Sequence, residues 1–124
     1  FSVHGERNYP TRKMRSTLDV GLADGVADDE YLERLERNLA GILGAFPADL
    51  VFYLAGVDIV QGDRYGRLAL SDAGLRRRER AVLESCRRAG LPVAITIAGG
   101  YATTPERTAE LHAIVFEEAQ AQFG

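Results

Sequence analysis

A chain of 124 residues, 46% hydrophobic and 27% charged, holds enough apolar material for one core and too much for a disordered segment. A formal net charge of -3 supplies no general attraction for nucleic acid or an anionic membrane surface, and no apolar run approaches the roughly 20 residues of a membrane span. The single cysteine, Cys86, excludes an internal disulfide framework and points to a reducing, cytoplasmic setting.

The chain opens on Phe1, and Phe1 to Val3 reads as the tail of an apolar strand whose earlier part lies upstream, so a fragment of a longer protein is expected. No signal-peptide pattern is visible. His4-Gly5 reads as the exit from that strand, followed by about twenty polar residues in an unusually long connection. Within it, Tyr9-Pro10 sets an aromatic beside a rigid bend, where the ring either pins the loop or lines a pocket; pinning is the simpler role. Lys13 is the only lysine against fourteen arginines, which reads as coding bias.

Asp28, Asp29 and Glu30 place negative charge where a helix N-terminus favours it. Tyr31, Leu32, Leu35, Leu39, Ile42, Leu43 and Phe46 then recur at spacings of three and four, predicting an amphipathic helix that Pro47 stops. Leu50 to Gly56 is too short for a buried helix and suits a buried parallel strand. It runs into a glycine-punctuated loop, Gly56 to Gly66, with Asp58 just past the strand end. In α/β proteins that is the usual place for chemistry, although a loop-capping carboxylate is the plainer alternative.

Ser71 or Asp72 caps a second helix with Leu75, Val82, Leu83 and Cys86 inside, ending at Gly90. Cys86 reads as buried filler. Arg76, Arg77, Arg78 and Arg80 oppose the dipole near its start, which invites anion binding; a solvated face interleaved with Glu79 and Glu84 is the simpler expectation. Val93 to Ala98 forms a further strand, ended by Gly99-Gly100-Tyr101. Thr104-Pro105-Glu106 starts the last helix, with Leu111, Ile114, Val115, Ala119 and Phe123 inward. His112 lies beside that stripe as a surface or satisfied interior residue rather than a ligand.

Strands alternating with helices require parallel pairing, so the fold class is α/β. Parallel strands of one sheet end on one side, which should bring together the segments after His4, Gly56 and Gly99. A histidine, a carboxylate and a glycine-presented tyrosine could bind a metal, polarise a carbonyl or hold a phosphate. Neither AGVD nor AGGY supplies a dinucleotide fingerprint, and there is no P-loop. A phosphate near Gly99, Gly100, Thr103 and Thr104, at the start of the last helix, stays open.

Three stretches decide further: DDEYLERLERN at Asp28 to Asn38, AGVDIVQGDRYGRLALSDAG at Ala55 to Gly74, and AGGY at Ala98 to Tyr101. Through them the chain resembles the C-terminal portion of the histone deacetylase family, most closely its class IV branch with bacterial relatives. The resemblance implies a three-layer α/β/α, arginase/deacetylase-like fold with a parallel sheet, the 124 residues being the C-terminal part of one domain.

It also implies a catalytic zinc held by two aspartates and a histidine, with Asp58 matching the second aspartate. Tyr101 matches the tyrosine that hydrogen-bonds the substrate carbonyl, with Gly99 and Gly100 allowing close approach. Tyr9 matches an aromatic of the acyl-lysine channel. Tyr65 stands at a wall position that is usually leucine or methionine in relatives, so its bulk would narrow the channel. Ser2 and the Val3 carbonyl match part of a monovalent-cation site, possible K+ ligands, and Asp63 matches a loop-bracing aspartate. Thr11-Arg12-Lys13 departs from the Gly-Thr-Gly of many relatives.

The family's paired histidines and Asp-x-His pair have no counterpart here, and His4 and His112 do not match them. The implied function is removal of acyl groups from lysine side chains by metal-activated water, with this chain inactive by itself. Alternatives are a same-fold enzyme for acetylated polyamines or other small amides, and a non-catalytic interaction or dimerisation module. The expected partners are an acylated lysine or small acylated amine, the N-terminal portion of the domain and, for an exposed strand edge, a second copy; no nucleic acid or membrane is expected.

Overall fold

The computed structural model describes residues 1–124. The elements are β1 (Ser2–Gly5), β2 (Asp19–Leu22), α1 (Asp28–Ala45), β3 (Val51–Ala55), α2 (Asp72–Arg88), β4 (Val93–Ile97) and α3 (Pro105–Phe123). All strand pairing is parallel, so the α/β reading holds. The strand β2 was not foreseen. Asp-Val-Gly-Leu is short, contains glycine and is half exposed, and it is defined only by its register with β1, from Ser2 opposite Asp19 to Gly5 opposite Leu22. A parallel neighbour needs a crossover of about a dozen residues, and the segment from Glu6 to Leu18 supplies it without a helix.

The strands hydrogen-bond as two pairs, β1 with β2 and β3 with β4, rather than as one ladder. Tyr53 and Ala55 of β3, with Val93 and Ile95 of β4, pack towards Leu83 and Val115. The opposite side of β3 shows Phe52, 68% exposed, and Leu54, 66% exposed. The helices of this chain therefore cover one face of that pair.

In α1, Tyr31, Leu32, Leu35 and Leu39 are buried, each contributing on the order of 1.5–3 kcal/mol by leaving water. Its first-turn acids suit the dipole, but Asp28 also acts at a distance. Its carboxylate accepts from the Ser71 backbone N–H at 2.8 Å and the Ser71 hydroxyl at 2.6 Å, tying the start of α1 to the start of α2. Ser71 is itself the cap of α2, its Oγ accepting from the Gly74 N–H at 3.0 Å. Thr104 caps α3 in the same way, accepting from the Arg107 N–H at 3.1 Å, with Pro105 in the first turn.

The arginine run of α2 is a solvated face only in part, at Arg76, Arg77 and Arg80. Arg78 and Glu79 are buried and paired with each other. Arg76 and Arg80 reach across to α3, where both meet Glu118, and Arg77 reaches Asp29. Cys86 is fully buried as expected, and burial pushes its thiol pKa up. No helix is long and apolar enough to cross a membrane.

Candidate functional site

Although the strands form two pairs, their ends do meet. A cavity of about 200 Å³ is lined by His4 and Gly5 of β1, Gly56 and Asp58 after β3, Gly99 after β4, and Arg78 from α2. A larger space of about 600 Å³ lies between α1 and β3, but its lining is mostly hydrophobic.

The loop after β3 is built around Asp58. The Gly56 carbonyl accepts from Arg78 Nη1 at 2.8 Å, and the Val57 N–H donates to the Gly99 carbonyl at 2.6 Å. Only glycine fits at two positions of this arrangement. A Cβ on Gly66 would stand 1.7 Å from the Asp58 carbonyl oxygen, and one on Gly99 would stand 2.7 Å from Asp58 Oδ2. Asp58 enters none of the molecule's ion pairs. Burial, and next the negative charge of Asp63, push its carboxyl above the ordinary value. No other side chain bonds or pairs with this carboxylate, which leaves it able to face a cation.

Asp63 joins that loop to the one after β4. Its Oδ1 accepts from the Tyr65 N–H at 2.9 Å and the Gly66 N–H at 2.7 Å, and its Oδ2 accepts from the Tyr101 N–H at 2.6 Å. The Tyr101 carbonyl in turn accepts from the Arg64 N–H at 2.9 Å. The result is an edge-to-face contact of Tyr65 and Tyr101, ring centres 5.0 Å apart, with both side chains open to solvent. A bracing carboxylate expected from the sequence is thus visible in geometry.

Beneath the loop, a Cβ on Gly100 would meet Val57 Cγ2 at 2.5 Å and His112 Nε2 at 3.2 Å. His112 is buried, not a surface residue, and its Nδ1 has no hydrogen-bond partner, so it is not a satisfied interior histidine either. Burial holds its pKa below the usual value.

Other expected residues stand apart. Tyr9 is 83% exposed, so its ring pins nothing. The loop is fastened instead by Lys13, whose ammonium donates to the carbonyls of Glu6 at 3.0 Å, Asn8 at 2.7 Å and Pro10 at 3.1 Å. The lone lysine thus has a structural use that composition did not reveal. The Ser2 hydroxyl meets His4 Nδ1 at 2.8 Å, and Val3 borders the cavity. At the start of α3, Thr104 Oγ1 already accepts from Arg107, and Thr108 Oγ1 accepts from the Ala102 N–H at 3.1 Å. Donors that a phosphate would use are therefore partly engaged.

Arg78, Glu79 and Tyr53 were missed as site residues. The Tyr53 hydroxyl donates to Glu79 Oε2 at 2.5 Å, and the Arg78 guanidinium lies 5.8 Å from the centre of the Tyr53 ring. A signal existed: Leu75, Arg78, Glu79, Val82, Leu83 and Cys86 share one helical face.

Parallel strands whose end loops gather a carboxylate, a tyrosine and glycines at forced approaches make an α/β unit, and its likeness to solved histone deacetylase domains is that of a partial deacetylase fold. Residues 1–118 match the histone deacetylase domain, and the chain belongs to the histone deacetylase family. It is 48% identical over 120 residues to an uncharacterised protein of Picosynechococcus sp., covering 97% of this chain and 40% of that protein. It is 34% identical over 110 residues to histone deacetylase 2 of Arabidopsis thaliana, covering 86% of this chain and 28% of that one. The chain therefore spans less than half the length of either relative. Among solved structures, it superposes on the HDA15 HD domain with TM-score 0.70 at 23% identity, over 98% of this chain and 36% of that one. For the histone deacetylase Clr3 the TM-score is 0.64 at 22% identity, over 83% and 17%. These two likenesses concern the fold.

Proposed function

We propose that these residues supply one side of a zinc-dependent deacylase site acting on acylated lysine or a small acylated amine. The observation that carries this reading is the Asp63 brace, which holds the Tyr101 loop against the Asp58 loop through N–H bonds of 2.6 to 2.9 Å. Histone deacetylases are generally zinc-dependent, and Asp58 fits as a donor because its half-buried carboxylate is free of ion pairs. One donor is not a site. No three His, Cys, Asp or Glu side chains come together in this chain, so further ligands come from outside these residues.

Asp58 would contribute one ligand to the zinc, which would supply Lewis-acid activation of water and of the amide carbonyl. Tyr101 Oη would donate to the oxygen on which negative charge develops. Gly99 and Gly100 keep the wall beside that oxygen thin enough for close approach. Tyr65 and Tyr9 flank the acyl-lysine path, and the bulk of Tyr65 favours small acyl groups. A structural K+ near Ser2 and the Val3 carbonyl belongs to the same reading.

The test uses the polypeptide that carries the whole domain. Tyr101→Phe is expected to lower kcat on an acetyl-lysine reporter by about 10²–10³-fold with zinc content retained. Asp58→Ala is expected to lose the zinc. Full activity in either variant would sink the proposal. The 124-residue chain alone is expected to hold no stoichiometric zinc and to cleave no reporter, which metal analysis and assay check directly.

A further inference from the structure

We propose that Arg78 is a positioning residue for the Asp58 carboxylate, acting from inside α2 on the single peptide group that leads into it. The proposal rests on the metal-binding reading of Asp58 and assigns a further residue to that site.

The argument begins with one plane. The Gly56 carbonyl and the Val57 N–H belong to the same peptide group. The carbonyl accepts from Arg78 Nη1 at 2.8 Å, and the N–H donates to the Gly99 carbonyl at 2.6 Å. A peptide group is rigid and planar, so holding both ends fixes its orientation. Only the two dihedrals of Val57 then separate this clamp from Asp58, and Val57 is β-branched and 2% exposed, packed against Gly100. The clamp thus sets the backbone that carries Asp58, and the carboxylate then packs against Gly99.

The guanidinium is itself held. Arg78 is 5% exposed, its Nη2 donates to Glu79 Oε1, and the other Glu79 oxygen accepts from the Tyr53 hydroxyl at 2.5 Å. Its Nε is buried without a partner. A buried ion pair with an unmet donor is a poor means of stabilising a helix, because hydrophobic side chains would do as well. What hydrophobic side chains cannot do is donate to the Gly56 carbonyl, and that is the contact this arrangement preserves.

Zinc affinity of the whole-domain polypeptide, measured by competition with a chromophoric chelator, tests the proposal. Hydrogen exchange at the Val57 amide of the metal-free protein provides a second readout. Arg78→Met is expected to weaken zinc binding about 10–100-fold and to lower kcat more than it raises KM. It should also speed exchange at Val57. Arg78→Lys, which keeps a cationic donor but loses the planar fork, should fall between Arg78→Met and wild type. If Arg78→Met does not fold, Tyr53→Phe decides, since it frees Glu79 without removing a charge; a several-fold loss of zinc affinity is expected in a folded protein. Unchanged zinc affinity and unchanged Val57 exchange in a folded variant would overturn the proposal. Asp58→Asn separates the two readings: if it leaves zinc binding intact, Asp58 is no ligand. If it abolishes binding while the folded Arg78 or Tyr53 variants bind normally, only the role of Arg78 fails.

Discussion

The two sides of α2 use the same residue types to opposite ends. On the outer side, Arg76 and Arg80, with side chains 40% and 54% exposed, converge on Glu118 of α3. On the inner side, Arg78 and Glu79, 6% and 0% exposed, are sealed against β3 and the Asp58 loop. The outer arginines bridge helices through water-screened charges. The inner one is a buried donor that bonds the Gly56 carbonyl and Glu79. A run of four basic residues is therefore not one feature: each position takes its meaning from helical phase and from what faces it.

The comparison can be broken hardest on the inner side. Arg78→Met leaves Glu79 buried with only the Tyr53 hydroxyl, and an unpaired buried charge typically costs about 3–5 kcal/mol. Chemical denaturation of the whole-domain polypeptide should show that loss. Arg78→Met combined with Glu79→Met is expected to recover most of the stability while leaving the Gly56 carbonyl without its donor. A double variant as unstable as the single one would show that the pair itself supports the fold.

Glu118 gives the next largest effect. Burial pushes its carboxyl up, but hydrogen bonds and charge from Arg80 and Arg76 outweigh burial and hold it below the ordinary 4.5. A depressed acid contributes stability that is present above its unfolded value and lost as pH falls through its folded one. Glu118→Gln is thus expected to cost about 1 kcal/mol at neutral pH. Its deficit relative to wild type should shrink below pH 4.5, as thermal unfolding across an acid series would show. A deficit that stays constant with pH would mean that charge is not the source.

The smallest effect belongs to Arg37 and Glu33, an exposed pair one turn apart on α1. Arg37→Ala should change stability by no more than about 0.5 kcal/mol, and added salt should erase the difference. A larger loss would make exposure a poor guide to the worth of these pairs.

Much of this arrangement is legible in the sequence. The helices α1, α2 and α3 follow apolar positions recurring at three and four, and Ser71 and Thr104 act as caps because their hydroxyls suit free N–H groups. Asp58, Gly99 and Tyr101 were conspicuous because they follow short apolar strands. By contrast, β2 escaped notice because four residues with a central glycine carry no periodicity of their own. Arg78 and Glu79 escaped because charge was read ahead of phase, although they stand in step with Leu75 and Val82. Tyr9 was assigned a pinning role on residue type, whereas Lys13 has the reach and three donors to do it.

The sequence by itself determined the three helices and the strands β1, β3 and β4, since periodicity and capping are local properties of neighbouring residues. It also determined that a carboxylate and a glycine-borne tyrosine stand at strand ends, and its motifs carried the family. Tertiary structure alone decided that the strands form two pairs, that Asp63 braces Tyr101 and that Arg78 clamps the peptide before Asp58. Those contacts join residues 17 or more positions apart, and distances across a fold depend on how elements pack rather than on any one stretch of chain.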